Sequence, residues 1–241
     1  MATTFLTLVN DTLKRLNEVQ LTSDEFPTAI GFHASVKDAV NIALEEIGQE
    51  QFGFPFNHQT GSLTLVAGTS TYAAPSDMKV VDWDSFRIVK DEAENIGAVR
   101  LRQINYDTYI QRFYIRDGNA GTEDYDTPIY VYRTLGNEIA FSPIPDKAYA
   151  INYDYYQYQT TLTNATDTMS IPDQFKNVVI DGAMYHCYMF RDNSQQATIA
   201  QQRFTRGIEN MRKILVNNFT DLRDTRAVSY THLTLPTKRI V

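Results

Sequence analysis

PDQFKNVVIDGAMYHCYMF, residues 172–190, decides how this chain is put together. Pro172 suits a first helical turn, where its missing N–H is no loss. Phe175, Val178, Val179, Gly182, Ala183 and the run from Tyr185 to Phe190 leave almost no polar face, so this helix is expected to be the buried one. Its Gly182-Ala183 pair leaves room for a neighbour to come close. After Asp192-Asn193-Ser194, residues Ala197, Ala200, Phe204, Ile208, Met211, Leu215 and Phe219 step along a long helix at spacings of three and four. That stripe packs on one side only.

The start of the chain has matching partners. Phe5, Leu8, Val9, Leu13 and Leu16 mark an amphipathic helix within 3–19, with Thr3 or Thr4 able to cap it. Val36, Ala39, Val40, Ala43, Leu44 and Ile47 mark a second within 33–47. From Phe52 the period changes, and Gly, Pro and aromatic residues punctuate short runs rich in Val, Ile, Thr and Tyr. Strands are predicted near 62–66, 70–73, 80–90, 98–103, 128–134, 137–141 and 148–158, with Leu135-Gly136-Asn137 as a tight hairpin turn. One helix, 105–114, is predicted among them, carrying Tyr106, Tyr109, Ile110 and Phe113 on one face. Helices of this length must bury their stripes on something. The expected fold is therefore α+β: N- and C-terminal helices (1–51 and 170–227) forming a four-helix bundle, with an inserted antiparallel β-rich domain (52–169).

The end, VSYTHLTLPTKRIV at 228–241, has no helical period and translates one frame of a transposase-based sequencing adapter. It is expected to be read-through rather than native sequence, and is set aside from the fold. Without its Lys238 and Arg239, 20 basic residues face 29 acidic ones, moving the net charge from −7 to −9. Such a chain is poorly suited to gripping nucleic acid or a membrane surface, both of which call for clustered Lys and Arg. No stretch reaches transmembrane length, and Asn10 and Asp11 interrupt the N-terminal apolar run before it could serve as a signal peptide. Cys187 is the single cysteine, which fits a reducing compartment.

Catalytic and metal-binding patterns are sparse. Outside the tail the histidines are His33, His58 and His186, and no G-x-S-x-G elbow or phosphate-binding G-x-x-x-x-G-K-[ST] loop occurs. His186 and Cys187 are adjacent, so on a helix they diverge by about 100° and cannot share a metal. Asp82 and Asp84 flank Trp83, and on one strand face two carboxylates beside an aromatic ring would suit glycoside chemistry; a solvated strand face is the plainer alternative. DGNAGTEDYD, 117–126, opens like a calcium loop with Asp117, Asn119 and Gly121, but Pro128 stands where the bidentate Glu is needed. No catalytic residue, cofactor or metal is expected.

The layout of TPIYVYRTLGNEIAFSPIPDKAYAINYDYYQYQTTLTNATDTMSIPDQFKNVVIDGAMY, 127–185, resembles the head-to-tail adaptor (connector) proteins of tailed phages, the tail tubular A and short-tail adaptor families. The shared features are a strand ending in an F-x-P-x-P turn (Phe141, Pro143, Pro145), an alternating strand ending in paired tyrosines (Tyr155, Tyr156), a Thr/Asp-rich loop and an I-P-D-x-F helix start (Ile171 to Phe175). SLTLVAGTSTYAAPSDM, 62–78, is similar to the first β segment of that family. The resemblance implies a structural virion protein without enzymatic activity, assembled in the host cytoplasm. It implies a closed, dodecameric ring of subunits docked beneath the portal protein, extending the DNA channel and attaching the tail nozzle protein. DNA would pass through it without specific binding, as an acidic lining allows. Another tail or baseplate interaction protein, and a carbohydrate-binding or carbohydrate-active β protein, are the alternatives. On the exposed face of the C-terminal helix, Arg203, Arg206, Arg212 and Lys213 are expected to meet an acidic neighbour; the alternative is a solvated face.

Overall fold

The computed structural model describes residues 3–50, 53–91, 97–114 and 125–216. Among them are five α-helices: α1 (Phe5–Arg15), α2 (Phe32–Gln49), α3 (Tyr106–Arg112), α4 (Lys176–Phe190) and α5 (Ser194–Leu215). The fold is α+β. Thr4 starts α1 by accepting the Thr7 N–H on its hydroxyl, and Asn193 starts α5 by accepting the Gln196 N–H on its side-chain amide oxygen. Helices α1, α2, α4 and α5 share one apolar core, built from Phe5, Leu8, Val9 and Leu13, from Val36, Val40 and Ile47, from Val179, Ile180 and Ala183, and from Phe204 and Met211. Phe54, Leu162, Met169 and Ile171 complete it from outside the helices.

Helix α4 lies at the centre of this core. A side-chain carbon on Gly182 would come within 2.7 Å of the Phe204 ring and 2.8 Å of Ala43, and one on Gly207 within 2.8 Å of Val178. Each glycine therefore receives the bulk of a facing helix, which lets α2, α4 and α5 meet more closely than any side chain would permit. Pro172 does not open α4 directly: a short 3-10 turn, Asp173–Phe175, intervenes. Its Asp173 accepts the Thr3 N–H at 2.8 Å and the Thr3 hydroxyl at 2.7 Å, tying the chain start to the α4 start. Further along, Asp11 pairs with Lys176 at 3.2 Å, Arg15 with Asp181 at 3.1 Å, and Glu18 with Arg191.

Ten strands lie among the described residues: β1 (His58–Leu65), β2 (Thr71–Tyr72), β3 (Met78–Ile88), β4 (Val99–Arg100), β5 (Arg102–Gln103), β6 (Tyr125–Asp126), β7 (Tyr130–Arg133), β8 (Ile139–Ser142), β9 (Ile144–Pro145) and β10 (Tyr149–Gln157). One sheet has the antiparallel order β1-β10-β3-β4 and a second the order β2-β8-β7-β5. Most pairings are antiparallel, as expected, but the two-residue contacts β5–β7 and β6–β9 are parallel. The β7–β8 turn closes through the Asn137 N–H to the Thr134 carbonyl, and Asn137 takes the left-handed conformation (φ 65°) that Asn tolerates well. Along β10, Tyr149, Ile151, Tyr153 and Tyr155 alternate inward and form a second core with Leu65, Phe86, Ile88, Val131 and Phe141. Much of the tyrosine content thus packs the sheets. Helix α3 lays Tyr109 on Tyr132, with ring centroids 4.2 Å apart, and Phe113 on Tyr130 at 4.9 Å.

Two predictions follow from this packing. Gly182→Val should destabilise the protein by about 1–3 kcal/mol, the usual cost of overpacking, measured by urea unfolding. The second concerns acid. Hydrogen bonds from Thr60 and Arg87 hold the Asp154 carboxyl below the usual range, backbone N–H groups of Asn164 and Thr163 do so for Asp167, and Thr3 does so for Asp173. A carboxyl held low in the folded state contributes stability above its unfolded value, about 3.9 for Asp, and loses it as pH falls through the folded value. Burial raises Asp181, which acts in the opposite sense. Hydrogen bonds from Thr22 lower Glu25 as well, so with four carboxyls held low against one raised, the melting temperature should fall as pH drops from 5 towards 2, as calorimetry would record.

Candidate interaction surfaces

Helix α5 exposes Arg203, Arg206, Arg212 and Lys213, but at about 100° per residue they do not share one direction. Arg206 and Lys213 stand opposite the buried stripe of Ala197, Ala200, Phe204 and Met211. Arg203 and Arg212 flank it on either side. Arg203 is close enough to Asp181 to lower that carboxyl against the effect of burial. Arg212 lines a groove of about 670 Å³ between α2, α4 and α5, with Glu46, Glu50, Tyr185, Phe204 and Ile208. His186 contacts the same Glu46, its Nε2 3.2 Å from the carboxylate. That nitrogen is buried, and its approach to the carboxylate lacks hydrogen-bond geometry.

A second groove, about 610 Å³, runs along the other side of α2 against residues 158–161 and is lined by Asp38, Ile42, Glu45 and Tyr158 among others. The outer side of α2 is therefore a ridge between two grooves, and both carry carboxylates. Where α2 ends, the Lys79 ammonium of β3 donates to the carbonyls of Gly48 and Glu50. Carbonyls at a helix C-terminus have no partner within the helix, and a cation there is doubly favourable. Burial lowers the Lys79 pKa, opposed by the charge of Glu50. Beside it, Gln159 donates to Asn57 at 2.8 Å and accepts from Ser170 at 2.6 Å, and Gly53 lies against the Tyr156 ring. These bonds join the helical core to the sheets.

The positions weighed for chemistry have local structural roles. Asp82 and Asp84 lie in an irregularity of β3: the five steps from Asp82 to Arg87 oppose only two of β10, Asn152 to Asp154. Asp82 accepts the Asp84 N–H at 3.1 Å, and Ser85 Oγ accepts the Asp154 N–H at 2.7 Å, so their groups serve the bulge's own backbone. Asp84 pairs with Arg100 at 3.5 Å, and Trp83 stacks on Phe86. Cys187 is buried, and burial pushes its thiol up to about 12. His58 lies 3.8 Å from Asp154 at the exposed end of β1. Among the described residues no three His, Cys, Asp or Glu side chains gather as a ligand set, and no helix is long and apolar enough to cross a membrane. Residues 117–124 of the calcium-like stretch 117–126, and residues 217–241, which include Phe219 and the adapter-like tail, lie outside the described residues.

The chain matches the family model of the SU10 adaptor protein over residues 3–230. It belongs to that family. Among curated proteins none matches it. An SU10 adaptor is a phage structural adaptor protein and a virion component, and its family implies interaction with portal and tail proteins.

For this adaptor, the exposure of the α5 bases was readable from the helical stripe alone. The grooves beside α2 and the Lys79 cap were not, because each depends on which segments meet across the fold. The nearest signal was indirect: the ridge positions Asp38, Ile42, Glu45 and Gln49 fall outside the apolar stripe of α2. Lys79→Met leaves two terminal carbonyls of α2 without their donor and should cost about 1–2 kcal/mol in chemical unfolding. Far-UV circular dichroism should remain native-like at neutral pH.

Proposed function

We propose that this adaptor forms a closed ring docked beneath the portal protein, extends the channel through which DNA leaves the head, and presents a platform for the tail nozzle. The family match across residues 3–230 carries this reading. Net negative charge supports it, since a conduit with few clustered cations releases few counterions from passing DNA and does not hold it. In this proposal residues 1–51 and 170–227 act as a four-helix bundle and 52–169 as the β-rich insert carried on it, twelve such subunits making the ring. Assembly takes place in the host cytoplasm before the tail is attached. The α5 bases Arg203, Arg206, Arg212 and Lys213 meet acidic surfaces of neighbouring molecules, with Arg212 facing the portal.

Electron microscopy of the purified protein mixed with its portal tests this directly. A ring of about twelvefold symmetry stacked on the portal is expected, and a trimer would count against the proposal. Arg212→Glu should weaken portal binding by about tenfold, a reversed charge facing an acidic surface, measured by biolayer interferometry; unchanged binding would remove Arg212 from that contact.

A further inference from the structure

Several charges of the helical core are matched inside the protomer: Asp11 with Lys176, Arg15 with Asp181, and Glu18 with Arg191. Two outward faces are different. On the ridge of α2, Asp38, Ile42, Glu45 and Gln49 recur at spacings of four, three and four, and all are exposed. On the outward face of α5, Ile199, Arg206 and Lys213 recur at seven, and all are exposed. Among the described residues no ion pair engages Asp38, Glu45, Arg206 or Lys213; Glu45 accepts a hydrogen bond from Gln49 of its own helix.

The two faces fit one another. Asp38 and Glu45 are seven residues apart, as are Arg206 and Lys213, so each like-charged pair is separated by two helical turns, about 10.5 Å. Two helices side by side can then oppose both acids to both bases in a single register. Each face also carries exposed apolar surface, which ion pairs at a surface need if a contact is to be stable. Ile42 is 40% exposed and Tyr158, across the second groove, 49%; Ile199 of α5 is 39% exposed. The groove between α2 and residues 158–161 is a concave seat beside the acidic ridge. The patches are on different helices, so a contact between them is heterologous: each copy offers its α5 to one neighbour and its α2 to another, which is the interface type that closes a ring or propagates a filament.

We infer that the acidic neighbour of Arg206 and Lys213 is a second copy of this chain, whose α2 ridge, with Asp38, Ile42 and Glu45, receives the outward face of α5. This rests on the ring proposed above and assigns its subunit contact. It leaves Arg212, in the other groove, for the portal. Because the charged positions lie at the surface, the contact is weakened by salt.

The test uses the purified full chain without portal, followed by sedimentation velocity over a concentration series at low and high salt. The wild-type chain should self-associate, and less so in high salt. Arg206→Glu with Lys213→Glu should weaken association by about tenfold or more, because like charges then face each other across the contact. Asp38→Lys with Glu45→Lys should do the same. Mixing the two double variants should restore association, since the acidic α5 of one then meets the basic α2 of the other; loss of folding in either could not produce this. A wild-type chain that remains monomeric, variants that associate undiminished, or a mixture that fails to recover would each overturn the assignment. Rings on the portal formed equally by all variants would remove this contact and leave the adaptor role standing. Rescued self-association by a chain that ignores the portal would keep the contact and remove the role.

Discussion

The close approach of α2, α4 and α5 at Gly182 is the constraint from which the rest of the helical core follows. α4 comes late in the chain and α2 early, and they can share a core only if α4 offers no bulk where Ala43 and the Phe204 ring converge on it. Gly207 repeats the arrangement towards Val178 one helix further out. Once α1 and α5 are both held on α4, the segment between α2 and α4 must leave the helical core and return to it. Phe54 and Leu162 mark where it does so, both buried among the helices. The sheets then organise around β10, the strand that leads back, which pairs with β1 on one side and β3 on the other.

Much of this is legible in the sequence, and for identifiable reasons. The apolar stripes of the four long helices follow from spacing alone, and so does the inward alternation of Tyr149, Ile151, Tyr153 and Tyr155. The reversal at Leu135–Asn137 follows from turn chemistry. Less legible was anything that depends on one segment finding another. Asp82 and Asp84 look like neighbours on a regular strand face, yet they lie in a bulge that exists because β3 carries extra residues opposite Asn152–Asp154. Asp173 looks like a helix-start acid for its own helix, yet it is bound by Thr3 from the other end of the chain. Local pattern cannot reveal a partner that is 170 residues away.

The same limit applies to the surfaces. Four bases on one helix look like one patch in the sequence, but the helix turns them in different directions, and the packing of α4 decides what each can meet: Arg203 stands near Asp181, Arg212 in a groove beside Glu46 and Glu50, and Arg206 and Lys213 face outward. A subunit of the proposed ring would contact like and unlike molecules at once. A helix that distributes its charge around its circumference offers separate contacts to each, without requiring separate domains.

The bond between Lys79 and the end of α2 bears on how such a protein can diversify. The ammonium binds the main-chain carbonyls of Gly48 and Glu50, not their side chains. Gln49, whose side chain borders both grooves, can therefore exchange for other residues while the coupling of helices to sheets persists. Change in groove chemistry at Gln49 is thereby separated from change in the protein's internal connections, whereas Lys79, and Gly48, where a side-chain carbon would come within 2.8 Å of Gln159, have no such latitude.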